Sequence, residues 1–112
     1  MIKVIIVGDQ CTGKTYTCKQ LLKQYYDGYT PSEWVEIYNY KIKNNNNIYI
    51  WNFSGDKSHL LMQKNYYKDA NICIIFGNDT FWKSYIKSIV PYVEIINYTN
   101  LYEFYKVIKS LK

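Results

Sequence analysis

The run Gly8-Asp9-Gln10-Cys11-Thr12-Gly13-Lys14-Thr15 constrains this chain more than any other feature. It fits G-x-x-x-x-G-K-[ST] and lies between two segments that suit it. Ile2–Val7, before it, is almost continuously apolar, as expected of a buried parallel strand. After it, Cys18, Leu21, Leu22 and Tyr25 fall on one helix face, predicting a helix from Lys14 to Tyr25. Strand, glycine-bearing turn and helix in that order aim backbone N–H groups and the positive helix end at one point, where a phosphate can bind. Lys14 is placed to reach the β- and γ-phosphates of a nucleotide, and Thr15 to ligate Mg²⁺ through its hydroxyl. A plain strand-to-helix turn would give no reason for Lys-Thr at those positions. The loop alone leaves ATPases, kinases and GTPases open.

Asp27-Gly28 reads as the helix stop and Tyr29-Thr30-Pro31-Ser32 as loop. Val35–Lys43 and Asn47–Phe53 alternate apolar with polar residues, and the Asn tract between them suits a hairpin tip, though it also fits a short low-complexity insertion. Ser54–Asn65 is polar and reads as a mobile loop leading into a short helix around Leu60-Leu61-Met62. Ile72–Phe76 is a second apolar strand closed by Gly77. Asp79 or Thr80 can cap a helix carrying Phe81, Trp82, Tyr85, Ile86 and Ile89, which stops at Pro91. Tyr92–Ile96 is a third buried-type strand. Asn100 caps a last helix, with Glu103 three residues on. The order β-α-β-β-(α)-β-α-β-α predicts an α/β fold: a five-stranded, mostly parallel sheet, its second strand antiparallel, with helices on both faces. Residues 1–112 read as one domain.

The chain has 14 Lys, no Arg and 9 acidic residues, for a net charge of +5. Over-use of Lys, Asn, Ile, Tyr and Phe beside starved Arg and Ala is the mark of an A/T-rich genome. The lysines are also spread along the chain, so the charge does not single out nucleic acid as partner. Cys11, Cys18 and Cys73 are odd in number and far apart, which argues for a reducing, cytoplasmic setting rather than a disulfide framework. No apolar run approaches the ~20 residues of a membrane span. With no cysteine near the C-terminus, no prenyl anchor is expected.

The later segments narrow the choice. Tyr29-Thr30-Pro31-Ser32-Glu33-Trp34-Val35-Glu36 resembles the first switch of the Ras superfamily, in particular of Rab-type small GTPases. Trp51-Asn52-Phe53-Ser54-Gly55-Asp56-Lys57 is similar to that family's W-D-T-A-G-Q-E, and Tyr66-Tyr67-Lys68-Asp69-Ala70 to its Y-Y-R-x-A. Asn97-Tyr98-Thr99-Asn100 falls where the guanine-reading N-K-x-D would lie. The resemblance implies a P-loop NTPase three-layer fold. It also implies a site for GTP or GDP built from Gly8, Asp9, Gln10, Cys11, Thr12, Gly13, Lys14, Thr15, Thr30, Ser32, Asn97, Tyr98 and Asn100. Mg²⁺ is expected on Thr15 and Ser32, and the γ-phosphate on Lys14, Ser32 and Gly55.

The departures from the family pattern carry expectations of their own. Asn52 stands for an acid that supports the Mg²⁺ shell, so metal affinity should fall. Asp56 stands for the Gln that positions the attacking water, so hydrolysis should be slow, although a carboxylate can act as a base. Asn100 cannot match both guanine donors as an acid does. Guanine discrimination should therefore weaken, unless Asn100 is simply a helix cap, and Tyr98 could stack on the base. The resemblance supplies no S-A-K loop, and the last helix must either replace the family's final helix or cover a sheet edge. No Arg is available as a finger in cis, so fast turnover would need a partner. Two functions follow: a slow, Mg²⁺-dependent GTP hydrolase, or a non-hydrolysing pseudo-GTPase that engages regulators or effectors. Such partners are expected at Tyr29–Val35 and Gly55–Tyr67, where Trp34, Trp51 and Tyr66-Tyr67 form either an aromatic surface or core. Cys11 either fills the loop or is a low-pKa thiol. His59, the one histidine, reads as an exposed loop residue with no zinc partners.

Overall fold

The computed structural model describes residues 2–24, 26–30, 34–42 and 46–111. In chain order the elements are β1 (Ile2–Gly8), α1 (Lys14–Gln24), β2 (Tyr26–Thr30), β3 (Val35–Ile42), β4 (Asn46–Phe53), α2 (Leu60–Gln63), β5 (Ile72–Phe76), α3 (Asp79–Ile89), β6 (Glu94–Asn97) and α4 (Leu101–Ser110). Single 3₁₀ turns, Lys57–His59 and Lys64–Tyr66, flank α2.

The strands form one sheet in the order β2-β3-β4-β1-β5-β6. β1 pairs in parallel with β4 on one side and β5 on the other, and β6 extends the parallel part beyond β5. β3 is antiparallel to both of its neighbours. The five expected strands are therefore present in the expected order, with the expected antiparallel member. A sixth strand, β2, lies at the edge. Asp27-Gly28, which reads as a helix stop, instead marks an irregularity in the β2–β3 pairing between Tyr26 and Gly28. A tyrosine-rich segment has good strand propensity, and a glycine is tolerated at such a bulge. Pro31, Ser32, Glu33, Lys43 and the first two residues of the Asn tract, Asn44 and Asn45, lie outside the described residues, as does Tyr25.

Other boundaries shift for local reasons. The cap of α3 is Asn78, one residue earlier than expected, its side chain accepting from Thr80 N at 3.0 Å. The last strand is Glu94–Asn97 rather than Tyr92–Ile96, because its register is set by pairing with Ile72–Ile75 of β5. Asn100 caps α4 as expected, accepting from Glu103 N at 2.9 Å.

Alternation along β1 divides the core into two layers. Val4 and Ile6 pack on one face with Cys18 and Leu21 of α1, Tyr38 and Tyr40 of β3, and Phe104 and Ile108 of α4. Ile5 and Val7 pack on the other with Phe53, Tyr67, and Trp82 and Ile86 of α3. Helix α4 thus lies beside α1 on a sheet face rather than over an edge, which settles the two places open to the last helix. The Tyr40 hydroxyl donates to the Cys18 carbonyl at 2.9 Å and ties α1 to β3. Burial pushes the phenol of Tyr40 and the thiol of Cys18 up, so neither ionises in the working pH range.

If α4 holds its face by core packing, truncating Phe104 is costly and truncating exposed Tyr102 is not. Phe104→Ala should lose about 3–5 kcal/mol in urea unfolding, and Tyr102→Ala less than about 0.5 kcal/mol.

Candidate functional site

The loop between β1 and α1 turns back on itself under four constraints. Gly8 has φ +147°, and a Cβ there would lie 2.4 Å from the Phe76 carbonyl oxygen, so no side chain fits. Cys11 occupies the left-handed region at φ 63°, its thiol exposed. The Asp9 carboxylate accepts from Trp82 Nε1 at 2.9 Å, pinning the loop to α3. Thr12 Oγ1 donates to the Asp9 carbonyl at 2.8 Å and closes the turn.

Lys14 points back into this turn. Its ammonium is buried and donates to the Gly8 carbonyl at 2.9 Å and the Asp9 carbonyl at 2.6 Å, with Thr12 Oγ1 at 3.4 Å. Burial lowers its pKa below the ordinary lysine value, partly offset by Asp9. A cation held only by carbonyl and hydroxyl oxygens in a partly dry loop is a strong attractor for an oxyanion.

In front of the loop is a cleft of about 360 Å³, lined by Gln10 to Tyr16, by Trp34, Val35 and Glu36, and by Asn52 to Gly55. The end of β4 closes over it. A Cβ on Gly55 would lie 2.4 Å from Gln10 N and 2.5 Å from the Gly8 oxygen, so the segment presses its bare backbone on the loop. Behind this, fully buried Gln63 donates through Nε2 to the carbonyls of Trp34 and Ser54, each at 3.1 Å, and accepts from Tyr67 Oη at 3.2 Å. At the side of the cleft Asn52 Nδ2 donates to Thr15 Oγ1 at 3.1 Å and to Glu36 Oε1 at 3.3 Å. Thr15 Oγ1 is itself 3.3 Å from Glu36 Oε1. Asn52 is buried, and its Oδ1 has no hydrogen-bond partner.

The expected site residues fall into two groups. Gln10, Cys11, Thr12, Gly13, Lys14, Thr15 and Gly55 line one cleft, with Gly8 and Asp9 acting on it through their bonds to Lys14. Ser32 is outside the described residues, and Thr30 enters as backbone of β2, opposite Ile37. Asp56 is partly exposed and caps the following 3₁₀ turn, accepting from Ser58 N at 3.0 Å; that bond holds its carboxyl below the usual range.

The base-end residues are engaged within the fold. Asn97 Nδ2 donates to Asp79 Oδ2 at 3.2 Å, and the Tyr98 ring stacks on Phe76 with centroids 3.9 Å apart. Asn97, Tyr98 and Asn100 are not among the cleft-lining residues. Of the aromatic residues, Tyr67 is core, whereas Trp34, Trp51 and half-exposed Tyr66 form a ring cluster with Lys3 Nζ 4.4 Å over the Trp51 ring. His59, expected to be an exposed loop residue, is only partly exposed, ending the Lys57–His59 turn with Nδ1 3.2 Å from Ser54 Oγ.

Sequence reasoning missed Glu36, Gln63 and Trp82. Glu36 could have been found from the hairpin, since it faces Asn52 directly in the β3–β4 register. The other two give no sequence signal beyond an isolated Gln and a core-type Trp.

Two outcomes test this geometry. Gly55→Ala should destabilise the protein by about 1–3 kcal/mol in urea, because backbone rather than a flexible side chain must give way. Charged Lys14 is less stable in the fold than in the unfolded chain below its lowered pKa, and this penalty fades as pH rises toward the ordinary lysine value. Relative to Lys14→Met, nucleotide-free wild type should therefore gain melting temperature as pH rises toward 10.5.

Among the described residues no helix is long and apolar enough to cross a membrane, and no group of three His, Cys, Asp or Glu could by itself hold a metal ion. No curated protein matches the chain. The family model described as "Ras of Complex, Roc, domain of DAPkinase" matches residues 3–101. That match spans the phosphate-type loop, the cleft and the whole sheet, and the chain accordingly belongs to the Roc family of Ras-like GTPase domains, a family that implies guanine-nucleotide binding.

Proposed function

We propose that residues 1–112 form one P-loop domain that binds GTP and GDP with Mg²⁺ in the cleft over Lys14, and that it hydrolyses GTP slowly or only with a partner. The buried ammonium, satisfied by Gly8 and Asp9 carbonyls, carries this reading, because it has direct bonds to transfer to an incoming phosphate. The N–H groups of Gln10 to Thr15 would cradle the phosphates, and Gly55 N–H would meet the γ-phosphate. Thr15, with Ser32, would hold Mg²⁺. The cleft fits a magnesium–nucleotide complex: the oxygens it offers at Thr15 and Glu36 are hard and few in number, as suits an ion that binds largely through phosphates and water.

Asp56 supports the slow rate. Its lowered pKa makes it a weak base, and its carboxylate is bonded to Ser58 N. The same observation favours the second reading, a non-hydrolysing module that engages regulators or effectors. The surfaces for it would be the Rab-like segments Tyr29–Val35 and Gly55–Tyr67, where Leu61, Met62 and Tyr66 are exposed. The engagement of Asn97, Tyr98 and Asn100 within the fold supports weak discrimination between bases.

Binding of GTP, GDP, XTP and ATP with and without Mg²⁺ tests the proposal. GTP and GDP should bind, and Lys14→Ala should weaken both about 100-fold by removing charge-assisted hydrogen bonds. Binding of no nucleotide, or binding indifferent to Lys14→Ala, would sink it. A single-turnover assay separates the two readings: phosphate release that Asp56→Ala leaves unchanged excludes Asp56 as base. Asn100→Asp should raise preference for GTP over XTP if Asn100 reads the base, and leave it unchanged if it only caps α4.

A further inference from the structure

We propose that Glu36, on β3, supplies the negative charge for the divalent cation on Thr15, in place of Asn52 on the neighbouring strand. This rests on the reading of the cleft as a magnesium–nucleotide site.

Glu36 and Asn52 are direct partners in the antiparallel β3–β4 register, so their side chains leave the sheet on the same side. Both reach Thr15. Glu36 Oε1 lies 3.3 Å from Thr15 Oγ1, and Asn52 Nδ2 lies 3.1 Å from the same hydroxyl. At that separation Thr15 Oγ1 donates a long hydrogen bond to Glu36 Oε1, and the pair would close by roughly 0.4 Å to share an Mg²⁺ shell, whose neighbouring oxygens lie ~2.9 Å apart. Tyr38 Oη at 3.4 Å and Asn52 Nδ2 at 3.3 Å both donate to Glu36 Oε1 and steady it there. Among the described residues lining the cleft, Glu36 is the one carboxylate.

Asn52 carries the second observation. It is 4% exposed, and its Oδ1 is buried without a hydrogen-bond partner, a costly arrangement. A half-turn of the terminal amide would give up the Nδ2 bonds to Thr15 and Glu36 and present that oxygen to them instead, an exchange that only a cation between the two would favour. Facing the carboxylate oxygen directly, the amide oxygen would be repelled. Facing a cation held by that carboxylate, it gains a partner. The charge has therefore moved one strand over, and the amide left behind is matched to an ion beside it.

The test is retention of a fluorescent GDP analogue by the full chain, titrated with Mg²⁺ to a midpoint. Glu36→Gln should raise the midpoint at least ~10-fold. The double variant Glu36→Gln/Asn52→Asp, which returns a carboxylate to the neighbouring strand, should bring it back to within about 3-fold of wild type. Asn52→Asp alone should lower the midpoint. A merely structural Glu36 would change melting temperature without this pattern of loss and rescue. An unmoved midpoint in Glu36→Gln, or no rescue by Asn52→Asp, overturns the assignment and leaves nucleotide binding standing. A wild type that retains no GDP at any Mg²⁺ concentration overturns both. If Glu36→Gln does not fold by circular dichroism, Asn52→Asp decides: a midpoint no lower than wild type overturns the assignment.

Discussion

The buried ammonium of Lys14 is the interaction on which the rest of the site depends. A cation removed from water is tolerated only where oxygens surround it, and here they come from the Gly8 and Asp9 carbonyls. Those carbonyls face inward because the loop is gripped at several points. Gly8 lies against the Phe76 backbone at the end of β5, Trp82 of α3 holds the Asp9 side chain, and Gly55 presses on the loop from β4. β1 makes all three possible. As a central strand flanked by β4 and β5, it delivers the loop to the carboxyl end of the sheet, where the neighbouring strands also end. Both hydrophobic layers thus converge on one charged group.

Much of this was legible in the chain. The loop motif, the apolar strands Ile2–Gly8 and Ile72–Phe76, the antiparallel hairpin and the Asn100 cap all have local signatures: periodicity, a breaker or a capping residue. Local signatures do not report pairings across strands. Edge strand β2 was hidden because Asp27-Gly28 carries the same signal for a helix stop as for a bulge. Asn52 read as a lost acid because its motif was followed along one strand, while the carboxylate beside it belongs to the next. Trp82 and Gln63 are tertiary contacts with no local pattern.

The two ends of the expected nucleotide site differ in how the fold employs them. At the phosphate end the backbone is shaped, and the side chains that line the cleft are those the motif names. At the other end Tyr98 fills space over Phe76 and against Phe104, Asn97 bonds Asp79, and Asn100 holds the start of α4. Replacing the family's lysine by tyrosine thus exchanges a charged stem for a ring that joins the α1–α4 layer. Core packing and helix capping thus employ the residues at which base recognition was expected, whereas the motif residues of the phosphate end line an open cleft.

Gln63 gives the cleft a mechanical property. One amide nitrogen spans two carbonyls, Trp34 at the entry to β3 and Ser54 at the exit from β4, and Ser54 N bonds the Trp34 carbonyl at 2.9 Å as well. The walls on either side of the cleft therefore share a single buried rivet. Drawing Gly55 toward a ligand strains the bonds at Ser54, and through the same amide pulls on Trp34. Trp34 also belongs to the partly buried ring cluster with Trp51 and Tyr66, so that cluster and the cleft wall at Ser54 are joined through one glutamine side chain.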